Sequence, residues 1–135
     1  MQLINKKLIA FLASPLLLLL TACGGGSVAK VTNLNADGFS SEIKNAGVVV
    51  LDVRTPGEFA AGHIQNAINI DVESSDFDAN IAKLDKTKEY DVYCHSGRRS
   101  GIATQKMVKA GFTKVFNLDG GIIAWQNAGF PLVSA

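Results

Sequence analysis

The run VVVLDV at residues 48–53 is apolar at every position except Asp52. Such a run predicts a strand buried on both faces of a parallel sheet. Residues 67–70, 90–94 and 114–118 form shorter runs of similar character, and a first strand is expected within residues 28–34. Between these runs the period changes. Phe39, Ile43 and Ala46 recur at helical spacing and share a face, as do Phe77, Ile81 and Leu84, and then Ala103, Met107 and Ala110. Gly47 and Gly111 stand just past two of these stretches, where helix C-caps belong. Residues 121–128 read as one more short helix. Strand and helix in alternation predict an α/β domain around a central, mostly parallel sheet, with no internal repeat and no second domain.

The first 22 residues follow a different pattern. Lys6 and Lys7 precede an apolar run over residues 8–20, interrupted by Ser14 and Pro15, and small residues lead to Cys23. That order is the order of a secretory signal. Leu20-Thr21-Ala22-Cys23 resembles a bacterial lipobox, in which cleavage precedes the cysteine and its thiol and amine receive acyl chains. Several acyl chains on one residue bury enough methylenes for stable anchoring. An uncleaved span is disfavoured, because the run falls short of the roughly 20 apolar residues a bilayer needs. The expected boundaries are a removed signal over residues 1–22, a lipidated Cys23 with a Gly-Gly-Gly-Ser tether through residue 27, and a folded domain over residues 28–135. Gly24, where an aspartate would act as a retention signal, resembles outer-membrane sorting. The expected location is therefore the periplasmic face of a bacterial membrane, the outer one.

Removing residues 1–22 takes two of the 13 basic residues and none of the 12 acidic ones, which leaves 113 residues with a net charge of −1. Nucleic-acid binding, which normally shows a clustered basic excess, is not indicated. A chain of this length makes one domain and buries about 65% of its unfolded surface. Of the two cysteines, Cys23 is committed to lipid, so Cys94 has no disulfide partner. An unpaired thiol in an oxidising compartment directs attention to its surroundings.

Those surroundings are YCHSGRRS, Tyr93 to Ser100. Ligands of open parallel sheets collect at the carboxyl ends of the strands. Cys94 ends a predicted strand and a helical pattern starts a few residues on, so residues 95–100 are expected to turn over a helix N-terminus. Gly97 permits a tight turn in which successive N–H groups form an anion-binding nest. The helix dipole, Arg98 and Arg99 add positive charge, and all three effects favour thiolate over thiol. Such a nucleophile suits a substrate with a small anionic group, such as thiosulfate, a persulfide or a phosphate. The contrary reading, an inert core thiol, fits poorly beside two arginines and a glycine.

This loop, together with LDVRTPGEFAAGHIQNAINI at residues 51–70 and GFTKVFNLDGGIIAWQNAGFPL at residues 111–132, resembles the rhodanese domain, in family order across the chain from about residue 28. The resemblance implies a single domain with a five-stranded, mostly parallel sheet flanked by helices. It also implies a cysteine that cycles through a persulfide, with thiosulfate a frequent donor and cyanide or a thiol the acceptor. Family members acting on phosphate or arsenate carry a loop one residue longer. Here the spacing is Cys-x4-Arg and Ser100 stands where the longer loop would need arginine, so sulfur transfer is expected over phosphate ester hydrolysis or arsenate reduction. A non-enzymatic persulfide carrier or sensor with the same loop is the alternative, and disulfide exchange lacks its Cys-x-x-Cys.

On this reading Cys94 is the nucleophile, and the backbone N–H groups of His95, Ser96, Gly97, Arg98, Arg99 and Ser100 hold the bound anion and the persulfide. Arg99 matches the position that closes the loop, binding the leaving sulfite or bracing the backbone; Arg98 is divided between substrate binding and a solvated surface role. His95 is a candidate for substrate tuning more than for a base. Asp52, Arg54, Glu58, Phe59, Gly62, His63 and Ile64 match the family segment DVR…EF…GHI. Asp52, Arg54 and Glu58 are expected to support the active loop as charged braces, and Gly62 with His63 to shape a turn. Gly120, Gly121 and Trp125 match the closing GG…AW segment, with Trp125 a core anchor. Two histidines and one available cysteine do not make a metal-ligand set, and no cofactor is expected. The expected partners are a small anionic sulfur donor, a thiol acceptor and, through the lipid, a membrane; the protein is expected to be monomeric.

Overall fold

A computed structural model describes residues 28–135; the expected signal, Cys23 and the tether lie outside the described residues. Five strands, β1 (Val31–Leu34), β2 (Val48–Asp52), β3 (Ile68–Asn69), β4 (Glu89–Tyr93) and β5 (Lys114–Leu118), form one sheet in the order β1-β5-β4-β2-β3. All four neighbouring pairs are parallel. Five helices connect and cover them: α1 (Ala36–Glu42), α2 (Pro56–Ala61), α3 (Phe77–Ile81), α4 (Arg98–Lys109) and α5 (Gly121–Asn127).

The continuous apolar character of β2 and β4 follows from burial on both sides. Leu51, Val92 and Val115 point into a core closed by Phe77 and Ile81 of α3 and Ala103 and Met107 of α4. Val50, Tyr93 and Leu118 point the other way, against Phe39 of α1 and Ile122 and Trp125 of α5. Each large apolar side chain removed from water contributes about 1.5–3 kcal/mol. The second core also orders its aromatic rings: Phe39 meets Tyr93 and Trp125 edge-on at centroid distances of 6.3 and 6.2 Å.

Helices α1 and α3 are shorter than the periodicity suggests. Ala46 does not share a face with Phe39 and is exposed, because α1 ends at Glu42. The sequence ADGFSSE holds a glycine and two serines, which favour caps over helix interiors. The chain leaves through tight turns in which Asn45 donates its backbone N–H to Glu42 O at 2.9 Å. Gly47 therefore serves a loop, with φ +85°, and not a helix cap. Leu84 likewise lies in a turn past α3, yet it packs on the first core. Gly111 is a true C-cap partner: its N–H reaches Val108 O and that of Phe112 reaches Met107 O, both at 3.1 Å, the paired bonds of a Schellman motif.

Helix α2 is not visible in the apolar pattern, since none of its residues is buried. It forms because Thr55 and Glu58 make a capping box and Pro56 occupies the first turn. The signal Thr-x-x-Glu is present in the sequence and would have located it.

Candidate active site

The carboxyl ends of β2 and β4 deliver Asp52 and Cys94 to the same edge of the sheet, since Asp52 pairs with Tyr93. Beyond Cys94 the chain turns through His95 and Ser96 to Gly97, and α4 begins at Arg98. The turn is thus shorter than expected: Arg98, Arg99 and Ser100 belong to the first turn of the helix. Gly97 caps α4 with φ +104°, in the left-handed region that disfavours side chains. An added Cβ there would also meet Gly120 N at 3.4 Å.

Cys94 is 1% exposed. Its Sγ accepts the Gly97 N–H at 3.0 Å and lies 3.3 Å from Ser100 Oγ, which in turn donates to Gly97 O at 3.2 Å. Burial pushes the thiol pKa up and is the largest single influence. The Ser100 hydroxyl and the N–H groups of Ser100, Gly97 and Ser96 together outweigh it, so the net shift is downward. The Gly97 N–H is bonded to the sulfur itself, and the N–H groups of Ser96 and Ser100 and the Ser100 hydroxyl lie near enough to favour its thiolate.

The arginines separate, one bound to a carboxylate and one exposed. Arg99 does not offer its guanidinium to an anion: Nη1 and Nη2 bind Glu58 Oε2 and Oε1, each at 2.8 Å, and Glu73 lies 3.5 Å away. The pair holds Glu58 down at about 2, with the Arg99 hydrogen bond the largest cause. Glu58 also accepts the Thr55 N–H and hydroxyl, so one carboxylate ties the cap of α2 to the first turn of α4. Arg98 is exposed and has no ion pair among the described residues. His95 and Ser96 are exposed as well.

Asp52 and Arg54 pair with each other, and both are buried. Arg54 Nη2 donates to Asp52 Oδ2 at 2.6 Å, and the Arg54 backbone N–H binds Oδ1 at 2.9 Å. The same Nη2 reaches Gly62 O at 2.6 Å, and the guanidinium lies 5.6 Å from the Tyr93 ring centroid. Tyr93, whose hydroxyl accepts the Ile64 N–H at 3.0 Å, and Asn69, whose Nδ2 donates to Asp52 O and Arg54 O, complete this network. Burial, then Asp52, push the Tyr93 hydroxyl pKa up. Neither residue was singled out from the sequence, because an apolar-looking strand end carries no mark of its partner. His63 shapes the turn after α2: its ring stacks on Phe59 at 3.8 Å, and its backbone pairs with Val133.

Gly120 and Gly121 form the seat of the loop. The N–H groups of Ile122 and Ile123, in the first turn of α5, donate to Cys94 O at 2.9 Å and His95 O at 3.2 Å. A Cβ at Gly121 would stand 2.5 Å from His95 O, and its φ is +61°. Close approach of backbone to backbone explains the double glycine. Trp125 is 4% exposed and donates Nε1–H to Pro131 O at 2.9 Å, as a core anchor should. Among the described residues no group of His, Cys, Asp and Glu is arranged to hold a metal ion. What remains is a buried thiol with polar groups about it on a fixed backbone, an arrangement able to hold a small anion or the terminal sulfur of a persulfide.

Comparison with known proteins agrees with this architecture. Residues 35–128 match the family model described as Rhodanese-like domain. A protein named Sulfurtransferase from Allochromatium vinosum is 31% identical over 105 residues, covering 77% of this chain and 96% of that protein. The Thiosulfate sulfurtransferase GlpE of Pseudomonas putida is 41% identical over 93 residues, covering 68% and 81%. Among solved structures, a rhodanese-related protein from Thermoplasma volcanium superposes with a TM-score of 0.67 at 35% identity, over 76% of this chain and 97% of that one.

Proposed function

The chain belongs to the rhodanese-like domain family, and on that footing we propose that it is a sulfurtransferase in which Cys94 carries the sulfur. The observation that carries this reading is the set of polar groups around Sγ: the Gly97 N–H donates to it at 3.0 Å, the Ser100 hydroxyl 3.3 Å away can turn its proton from Gly97 O to a thiolate, and with the N–H groups of Ser96 and Ser100 they lower the thiol pKa. With thiosulfate as donor, the Cys94 thiolate attacks the outer sulfur. The S–S bond of thiosulfate breaks, and sulfite leaves with its electron pair. The persulfide keeps a negative terminal sulfur close to the same donors, which cost no reorganisation because the backbone is already fixed. A nucleophilic acceptor, cyanide or a thiol, then takes that sulfur and returns Cys94 to thiolate.

The short turn supports sulfur over phosphorus. Helix α4 starts four residues after Cys94, so few N–H groups face the site, and Arg99 is engaged by Glu58. A phosphoryl group needs donors on three equatorial oxygens. Steady-state formation of thiocyanate from thiosulfate and cyanide tests the reading. Turnover abolished by Cys94→Ser and slowed by Ser100→Ala is expected, with no hydrolysis of p-nitrophenyl phosphate; phosphate ester hydrolysis without thiocyanate formation would replace the reading.

The pattern ending at Leu20-Thr21-Ala22-Cys23 supports a lipid-anchored form at the periplasmic face of the outer membrane. Metabolic labelling with palmitate, lost in Cys23→Ser and followed by membrane fractionation, tests that placement.

A further inference from the structure

Beside the loop, at the carboxyl edge of the sheet, lies a cleft of about 290 Å³. Its floor and walls come from Ala61 and Gly62 at the end of α2, His95 of the loop, Ile122 and Gln126 of α5, and Leu132 of the C-terminal segment. We propose that this cleft is the acceptor site, and that it takes a small thiol with an uncharged body. The proposal rests on the sulfurtransferase reading and specifies its second half.

Three observations carry it. The cleft adjoins the nucleophile: Ile122, one of its lining residues, donates its N–H to Cys94 O at 2.9 Å, and His95 is the next residue in the chain. Its wall is fixed, because the C-terminal segment is held by the His63–Val133 backbone pair and by Trp125 Nε1–H on Pro131 O. Its charge is balanced: Arg54 and Glu58 both line it, yet Arg54 is paired with Asp52 at 2.6 Å and Glu58 with Arg99 at 2.8 Å. An anionic acceptor finds no unpaired guanidinium there, whereas an uncharged body finds Ile122, Leu132 and Ala61 with the Gln126 amide at the rim.

Burial of Cys94 gives the cleft its purpose. Sγ itself is buried, and a persulfide carries its terminal sulfur about 2 Å away from it, so an acceptor seated beside the loop need not reach Sγ. A thiolate seated in the cleft attacks that terminal sulfur. The new S–S bond forms on the acceptor, the persulfide S–S bond breaks, and its electron pair returns to Sγ, so the acceptor leaves as a persulfide and Cys94 as thiolate. Cyanide, being two atoms long, needs no such seat.

The test is to fill the cleft and compare acceptors. In Ala61→Leu and in Gln126→Trp, full-length protein loaded by thiosulfate should discharge to 2-mercaptoethanol about tenfold more slowly, while loading and discharge to cyanide stay within about twofold of wild type. Leu132→Ala should act in the opposite direction and speed discharge to the bulkier benzyl mercaptan. If thiol and cyanide discharge fall together in the filled variants, or if neither changes and Leu132→Ala has no effect, the acceptor site is elsewhere. Failure of wild type to load sulfur at all would remove the sulfurtransferase reading instead, and this inference with it.

Discussion

Asp52 and Asp91 sit on neighbouring strands, and both are 0% exposed. Asp52, at the carboxyl end of β2, is met by Arg54 through its side chain and its backbone N–H. Asp91, in the middle of β4 opposite Val50, has no hydrogen-bond partner on either oxygen. Burial, then Glu89 and Glu42 nearby, push its carboxyl up to about 7. The same residue type is thus paired with a guanidinium at the carboxyl end of the sheet and pushed toward neutrality, unpaired, in its middle. Of these two buried carboxyls, the fold supplies a counter-charge to the one that fixes loop geometry.

Removing the counter-charge should produce the largest effect on this contrast. Arg54→Met leaves Asp52 buried with no cation, and a loss of about 3–5 kcal/mol is expected in urea unfolding. The double variant Asp52→Asn with Arg54→Met should recover part of it. A single-variant loss below about 1 kcal/mol would mean that Asp52 is not the brace described.

Asp91→Asn should do the reverse. The folded-state pKa of about 7 exceeds the ordinary value of 3.8, so the folded protein holds the extra proton between those pH values and stability falls as pH rises across that window. At pH 8 the cost is fully present, and Asn should remove about 2–4 kcal/mol of it. Near pH 4 the variant and wild type should unfold alike. A gain equal at both pH values would show that charge is not the cause.

A smaller effect on stability, but a clear one on turnover, is expected at the pair joining α2 to α4. Glu58 is about a third exposed, and the pair contributes at most about 1 kcal/mol once solvent screening is counted. Its pKa of about 2 lies below the ordinary 4.5, so the contribution is present above pH 4.5 and fades as pH falls toward 2. Glu58→Gln and Arg99→Ala should each lower thiosulfate turnover about tenfold through the loop's position, with Cys94 still open to alkylation. Wild-type turnover in both would detach the pair from the site.

The parts legible in the sequence are those written in local pattern. β5 spans Lys114–Leu118, the range its apolar run marks, and the strand–turn–helix around Cys94 follows from one apolar run, one glycine and one helical period. The strand order is not local, and neither is the partner of a long side chain. Arg99 was expected to bind an anion or brace the loop, and the choice depends on Glu58, 41 positions earlier in the chain. The turn after Cys94 is shorter than its pattern suggests because helix α4 starts sooner than its apolar face does: Arg98 and Arg99 are helical but not apolar, so periodicity cannot see them. Gly121 shows the same limit, since its need for a missing side chain comes from the His95 carbonyl, 26 positions before it in the sequence.

The central claim is that Cys94 carries sulfur, and intact mass spectrometry tests it most directly. The protein would carry Cys23→Ser, so that Cys94 is its only cysteine. Exposure to thiosulfate should add one sulfur atom, and cyanide should remove it as thiocyanate; the further change Cys94→Ser should abolish the gain. An unmodified Cys94 after thiosulfate and every other sulfane donor tried would contradict the account.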